Sequence, residues 1–495
     1  MKYSIRVDRT NTEAQRIQVI RYEKRKIVEL KHIGTAHTEK ELADLKSVAE
    51  AWIMAHPPHP QLFTLKVEPP PSPVFLKDCR FQGIWHTFTY ELLHRLCTHF
   101  HFTHLKQRIL VDLVIMRLFE PVSKRRSLTL LARYFGIEYS ENILYRALRT
   151  FSSLKESVEE KTVAIAKKEF GFDFSFVLYD VTTLYFETFE ADEMRKPGFS
   201  KDNKSQQPQI VIGLMVTPQG FPVSYEIFAG NTFEGTTFLP TILAFKKLHK
   251  VDTLTIVADA AMLSLDNIEK LTAEKLTYIV GARLGNISPT LLNTIDISLL
   301  HVDGATTRTE TQHGTLICSY SKKRYSKDLS DMNKQIAKAK NQVQSPGKMK
   351  RAKFVSVSTG KVSLNDELIA KTKKLLGVKG YYTNLAKMTD ADVIAHYRSL
   401  WHIEQAFRIA KSDLATRPIF HRKEESVKAH ILICVMALAL SKYIEIKTKQ
   451  SIHSVLDACK SVTDARILHT VTNKIIVMRS GIPDEVKSIQ EILSH

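Results

Sequence analysis

The run FVLYDVTTLYF, residues 176–186, sets one carboxylate, Asp180, in the middle of otherwise uncharged residues. Val181, Thr182 and Thr183 are β-branched, and aromatic residues stand on both sides, which suits a strand. An ionised carboxylate is costly in such a setting unless it is paired, hydrogen-bonded or bound to a metal. The rest of the chain therefore has to supply a partner for Asp180.

The segments that follow show what kind of domain holds this strand. QIVIGLMVTPQGFPVSYEIFAG gives two strands around the turn TPQG, a hairpin. TTFLPTILAFKKL is helical, TLTIVADA is a strand closed by Asp259, a helix follows over 264–275, and TYIVGAR is a further strand. Strand, hairpin, helix, strand, helix, strand describes a mixed α/β domain.

At 495 residues the chain has room for several domains. Residues 1–75 form a basic, strand-prone start with a helical stretch, closed by PPHP at 57–60 and PPPSP at 69–73. Residues 76–170 are mainly helical. Within them SLTLLARYFGIEYSENILYRALRTF reads as helix, glycine turn, helix. Leu128, Leu131 and Phe135 form one stripe. Gly136 breaks it, and Ser140 caps a second helix whose stripe is Ile143, Leu144, Ala147, Leu148 and Phe151. Arg146 and Arg149 lie off that stripe. Two readings stand: a DNA-reading helix-turn-helix or a plain helical hairpin.

The α/β domain then spans 171–284 and resumes over 379–445. Between its parts, 285–378 is a basic insertion with short β-prone pieces and the runs SKKRYSK, KMKRAK and KTKK. Residues 446–495 read as small helices.

The net charge of +19 points to a polyanionic partner, with nucleic acid first. The five cysteines, at 79, 97, 318, 434 and 459, form no CxxC pair, which leaves zinc ribbons and redox motifs without support. The N-terminus has no signal-peptide pattern, and ILICVMALAL at 431–440 is too short to span a bilayer, so it reads as a buried helix. A cytoplasmic protein without membrane attachment is expected.

Two more acids stand out beside Asp180. Asp259 ends its strand, and Glu404 lies on the helical stretch DVIAHYRSLWHIEQAFRIAKSDL among Trp401, Ile403 and Phe407. An acid at a strand end commonly caps the next helix, and an acid on a half-buried helix commonly pairs with Lys or Arg. Together, two strand carboxylates and one helix carboxylate can meet at one sheet edge and hold Mg²⁺ or Mn²⁺, which prefer oxygen ligands. Two such ions about 3.5–4 Å apart serve phosphodiester cleavage. Tyr397, Glu404 and Lys411 are seven residues apart, so a continuous helix of ~100° per residue puts them on one face, with Arg408 close by. The plainer alternative is a surface ion pair between Glu404 and Arg408.

At these residues the chain resembles the insertion-sequence transposases of the DDE superfamily. The co-linear segments are VLYDVTTLYFE, GFSKDNKSQQPQIVIGLMV, GFPVSYEIFAGNTFEGTT, VADAAMLS, YIVGARL, KGYYTNL and YRSLWHIEQAFRIAKSDLATRPIFH. The resemblance covers roughly residues 120–445. It implies an RNase H-like mixed sheet with flanking helices, a helical N-terminal DNA-binding region and a β-rich insertion between the second Asp and the Glu. It implies Asp180, Asp259 and Glu404 as catalytic acids and as ligands of two divalent cations, Mg²⁺ or Mn²⁺. It also implies that the Tyr-Arg-Glu-Lys signature falls here, with Tyr397 and Lys411 as its Tyr and Lys. The Arg position of that signature is Leu400, with Arg398 and Arg408 as the neighbouring cations.

The expected function is a DNA transposase that binds the terminal inverted repeats of its element and performs metal-dependent strand cleavage and transfer. Its partners would be double-stranded DNA, as element ends and target, and further copies of itself, in a homodimer or larger synaptic complex. The setting would be a prokaryotic cytoplasm, at the nucleoid. Tyr397, Arg398, Arg408, Lys411, Arg146 and Arg149 are the expected DNA contacts. The rivals are a transposase-derived DNA-binding regulator without catalysis and a metal-dependent nuclease that cuts without joining.

Overall fold

The computed structural model describes residues 3–10, 14–23, 26–56, 76–199, 206–262, 265–344, 352–358 and 361–494. The two proline-rich stretches at 57–60 and 69–73 lie outside the described residues. The chain divides into two compact units. One holds residues 1–91, 132–136 and 457–488, and the other holds 92–131, 137–456 and 489–495.

In chain order, the elements begin with β1 (Tyr3–Arg9), β2 (Gln15–Glu23), β3 (Lys26–Ala36), α1 (Glu39–Ala55), β4 (Cys79–Trp85) and α2 (Thr87–His99). Four helices follow: α3 (Arg108–Phe119), α4 (Lys124–Phe135), α5 (Glu141–Phe151) and α6 (Lys155–Phe170). Then come β5 (Phe176–Tyr185), β6 (Gln209–Val216), β7 (Pro222–Ala229), α7 (Glu234–His249), β8 (Thr255–Ala258), α8 (Leu265–Ala273) and β9 (Thr277–Ala282). The next stretch is α9 (Pro289–Thr294), β10 (Thr306–Thr311), β11 (Gly314–Tyr320), α10 (Lys322–Gln344), β12 (Val355–Ser358), β13 (Lys361–Leu364) and α11 (Asp366–Lys374). The chain closes with β14 (Val378–Thr383), α12 (Asp390–Arg398), α13 (Trp401–Arg408), α14 (Glu424–Thr448), α15 (Ile452–Lys460), β15 (Asp464–His469), β16 (Lys474–Arg479) and α16 (Asp484–Leu493).

The first unit contains two three-stranded sheets. β1, β2 and β3 form an antiparallel meander whose inner face (Ile17, Val19, Ile33) packs on Leu45, Val48 and Trp52 of α1. Thr38 caps α1 by accepting from the Glu41 N–H. The second sheet runs β16-β15-β4. It corrects the expectation of small helices over 446–495, where two strands occur. The reason is legible in ARILHTVTNKIIVM: β-branched and aliphatic residues flank a turn in which Asn473 adopts a left-handed φ of 55°. Arg479 of β16 grips the fully buried Asp464 of β15, Nε to Oδ1, at 2.7 Å.

The second unit is built on an eight-stranded sheet ordered β10-β11-β14-β9-β8-β5-β6-β7. β5, β6 and β7 are antiparallel neighbours, whereas β5, β8 and β9 run parallel. Three antiparallel strands followed by two parallel ones on the other side of the first is the RNase H-like arrangement. β6 is buried along its whole length, which is why QIVIGLMV carries no charge. Residues 285–378 bring the expected strands. Two of them, β10 and β11, extend the main sheet beyond β14, while β12 and β13 pair separately. The segment also supplies the 23-residue helix α10, which packs Met332 and Ala339 around Phe354 and Leu376.

Helix α14 is 25 residues long, and its most apolar 18-residue window is 83% buried inside the fold. It is long and apolar enough to cross a membrane, but here it is a core element, apolar all round. It packs against α3 and α5. The helical hairpin takes the expected form. Gly136 turns the chain at φ +68°, and the Ser140 hydroxyl accepts from the Ile143 N–H. Leu144, Leu148 and Phe151 are buried as expected, but Ile143 is corrected to an exposed position, because the buried face of α5 is narrower than the apolar stripe.

Candidate active site

β5 and β8 pair in parallel with Tyr179 opposite Ala258. The next position on each strand is therefore an acid, Asp180 on β5 and Asp259 just past the end of β8. Two adjacent parallel strands thus carry the two aspartates side by side. Asp180 is half-buried, and its Oδ1 accepts from the Val181 N–H at 2.7 Å. Asp259 is exposed, and its Oδ1 accepts from the Ala260 N–H at 2.7 Å.

The third element comes from the far end of the domain. Thr389 caps α12 by accepting from the Asp392 N–H, and α12 lies over β8, β9 and β14. Near its last turn the Tyr397 hydroxyl donates to Asp259 Oδ1 at 3.0 Å. The ring of Tyr397 packs edge-on against Tyr381 of β14, 4.9 Å between centroids. Gly281 of β9 makes the contact possible, since a Cβ there would run into the Tyr397 hydroxyl. Burial pushes the Tyr397 phenol far up, and the negative charge of Asp259 adds to it. The phenol therefore remains a donor at any physiological pH.

A cation sits beside this pair. Lys379 of β14 holds its ammonium 4.3 Å from the Tyr397 ring centroid. Burial lowers the pKa of Lys379, and Arg324 of α10 lowers it further. Asp259 opposes them, Arg398 adds to the lowering, and Glu404 opposes it. Asp259, Glu404, Arg398 and Arg324 therefore all act on one ammonium. A cavity of about 560 Å³ opens here, bordered by Asp259, Tyr397, Lys379, Arg283 and Arg324.

The single helix expected along DVIAHYRSLWHIEQAFRIAKSDL is corrected to two helices and a π-helical turn. The Ser399 hydroxyl bonds back to the His396 carbonyl, Leu400 is buried, and Leu400 N–H, His402 N–H and Ile403 N–H all bond three residues back. Glu404 stands exposed on α13. Lys411 falls in the π-turn Ile409–Asp413, half-buried, and borders a small apolar space with Thr182 and Leu184 of β5. The stripe of Tyr397, Glu404 and Lys411 is therefore not one uninterrupted helical face. Among the described residues, no group of three or more His, Cys, Asp or Glu side chains is gathered closely enough to hold a metal ion.

The family model for the transposase DDE domain matches residues 171–440, more than half of the chain. The chain belongs to that family. The matched residues of the transposase DDE domain run from just before β5 into α14 and take in all three acids. A solved chain from the cryo-EM structure of the piggyBac transposase synaptic complex with hairpin DNA is also similar. It is 12% identical, with a TM-score of 0.40, over 72% of this chain and 70% of that chain. No curated protein matches.

Within the transposase DDE domain, the fold brings Asp180, Asp259 and Tyr397 to one place. Arg398 is near them, exposed at the end of α12. Arg408 is exposed on α13. Arg146 and Arg149 are exposed on α5, a different element from those that carry the acids. Sequence reasoning missed Lys379, Arg324 and Gly281. The signal for Lys379 was available, as a lone cation entering the apolar strand VKGYYT. Nothing local marks Arg324, one basic residue in the run SKKRYSK.

Proposed function

We propose that this chain is a DNA transposase that binds the inverted repeats at the ends of its element and cuts and joins strands with Asp180, Asp259 and Glu404. The observation that carries this reading is the meeting of Asp180 and Asp259 on neighbouring parallel strands, with Tyr397, shortly before Glu404 in the chain, bonded to Asp259.

The donor set suits hard divalent cations. The Ala260 N–H and the Tyr397 hydroxyl both donate to Asp259 Oδ1, and carboxylate oxygens are the ligands such ions prefer. Asp180 and Asp259 would hold Mg²⁺ or Mn²⁺, with Glu404 as the third ligand. When bound, the cations would activate the attacking oxygen and stabilise the leaving oxygen. Tyr397 fixes the rotamer of Asp259. Lys379, Arg324 and Arg398 offset acid repulsion as a phosphodiester approaches. The phosphates of the two flanking duplex segments would meet Arg408 and, on α5, Arg146 and Arg149. Holding two element ends together calls for at least a homodimer.

The test is a reaction on labelled DNA carrying the element's own ends, with Mg²⁺ or with EDTA. Wild type nicks and joins only with the metal. Asp180→Asn, Asp259→Asn and Glu404→Gln each lose at least about a hundredfold in rate while still binding the ends. Cleavage by Asp180→Asn near the wild-type rate would sink the assignment. Tight end binding without cleavage under any metal would leave a DNA-binding regulator, and cleavage without joined product would leave a nuclease.

A further inference from the structure

A second cavity, of about 1020 Å³, lies among α5, the start of α4 and the segment 415–426 that leads into α14. Its size is at the upper end of ligand sites. Two basic side chains in its lining are buried in the protein: Arg117 at 4% exposure and Lys124 at 4%. Arg117 Nη1 donates to the Leu414 and Ala415 carbonyls at 3.3 and 3.4 Å. Lys124 Nζ lies 3.2 Å from His430 Nδ1. Among the described residues, no carboxylate pairs with either. Burial and the Arg117 guanidinium hold the pKa of Lys124 well below the usual lysine range, and an anion entering the cavity would favour its charged form and pair with both groups. Arg149, Arg422 and Lys423 add positive charge around the opening.

Two aromatic side chains stand at the same cavity with much of their surface in solvent, Phe420 at 67% exposure and Tyr145 at 48%. Exposed rings beside cations offer what a base needs to stack on and a phosphate needs to pair with. In a duplex the bases are stacked on each other, so rings of this kind serve an unpaired nucleotide. The cavity also connects with the strand of Asp180. The Ile419 N–H donates to the Tyr185 carbonyl at 3.2 Å, and Phe186 bridges Ile419. At roughly 3.3 Å per residue, this junction lies about 20 Å along β5 from Asp180.

We propose that this cavity binds an unpaired nucleotide of the DNA substrate, its phosphate against Arg117 and Lys124 and its base on Phe420 and Tyr145. This rests on the transposase reading above. The experiment uses the full chain without divalent ions and measures binding of a labelled element-end duplex, blunt or carrying a short single-stranded extension. Wild type favours the extended DNA by about tenfold. Phe420→Ala and Tyr145→Ala, both at exposed positions, abolish that preference and leave blunt binding within about twofold. Lys124→Gln weakens the extended complex as well. Equal affinity of wild type for the two DNAs, or a preference kept by Phe420→Ala, overturns the proposal. So does stabilisation by inorganic phosphate that Lys124→Gln loses while the preference for extended DNA persists, since the site would then serve free phosphate. Wild type binding neither DNA would bring down the transposase reading itself. Asp180→Asn that loses cleavage in the Mg²⁺ reaction described above, yet keeps the preference in this binding measurement, supports both.

Discussion

At the scale of single residues, one of the two bonds to Asp259, that from Tyr397, can be removed without disturbing the packing. Tyr397→Phe keeps the ring against Tyr381 and loses the bond to a carboxylate, a contact worth about 1.5–3 kcal/mol when charge-assisted. The expected outcome is a fold of nearly wild-type stability with a lower affinity for Mg²⁺, read as a rightward shift in the metal titration of cleavage. Gly281→Ala reaches the same bond from the other side, because the new methyl collides with the Tyr397 hydroxyl. It should match Tyr397→Phe in the metal titration and in addition lower the unfolding midpoint. A double variant no worse in metal titration than either single one would show that both act through Asp259.

At the scale of elements, the placement of Tyr397 depends on where α12 begins. Thr389 supplies the cap, accepting from the Asp392 N–H and donating to the Asp392 carboxylate at 2.6 Å. Thr389→Ala removes it at a cost of about 1 kcal/mol, measurable by urea denaturation. Rescue by Thr389→Ser would assign the loss to the hydroxyl. Helix α14 rests chiefly on burial, with polar ties through His430, Lys442 and Lys447. Leu432→Ala, at a fully buried position, should cost about 2–5 kcal/mol with no direct effect on metal affinity. The elements were largely legible from periodicity. The helix around Glu404 was not legible as broken, because an apolar stripe with 3.6 spacing continues through Leu400 and Ile403 whether or not a turn tightens at Ser399. β15 and β16 were readable in ARILHTVTNKIIVM but short enough to pass as helix.

At the scale of the whole molecule, charge and protonation set the working range. Burial, the neighbouring His430 and the cations Lys124 and Arg117 hold His421 down at about 3. Burial and Lys167 hold His249 at about 4. His430 is lowered as well, by burial and then Lys124 and Arg117. These histidines stay neutral in the fold and take protons in the unfolded chain between their folded values and the usual 6.5. The unfolded state thus binds more protons in that window, and stability rises with pH there. The contribution of these histidines should be complete above pH 6.5 and be lost as the pH falls below it, seen as a lower urea midpoint at pH 5 than at pH 7. If this chain of net charge +19 binds DNA ends as proposed, that binding should also fall steeply with salt. Six to ten phosphate contacts would lose roughly 10³–10⁵ in affinity between about 50 and 200 mM.

The alternation of apolar runs determined by itself that a mixed sheet would form. The isolated acids in FVLYDVTTLYF and TLTIVADA marked its candidate site, because a carboxylate in so apolar a setting needs a partner. Only the tertiary structure decided what those partners are. The parallel register that sets Asp180 beside Asp259, the reach of Tyr397 over Gly281, and the arrival of Lys379 on a strand about 120 residues after Asp259 are contacts between distant segments. The same holds for the cavity of Arg117, Lys124 and Phe420, whose walls come from segments about 300 residues apart. Local pattern reports which face of an element is buried. Which elements then meet is settled by how the faces pack, and that information is not local.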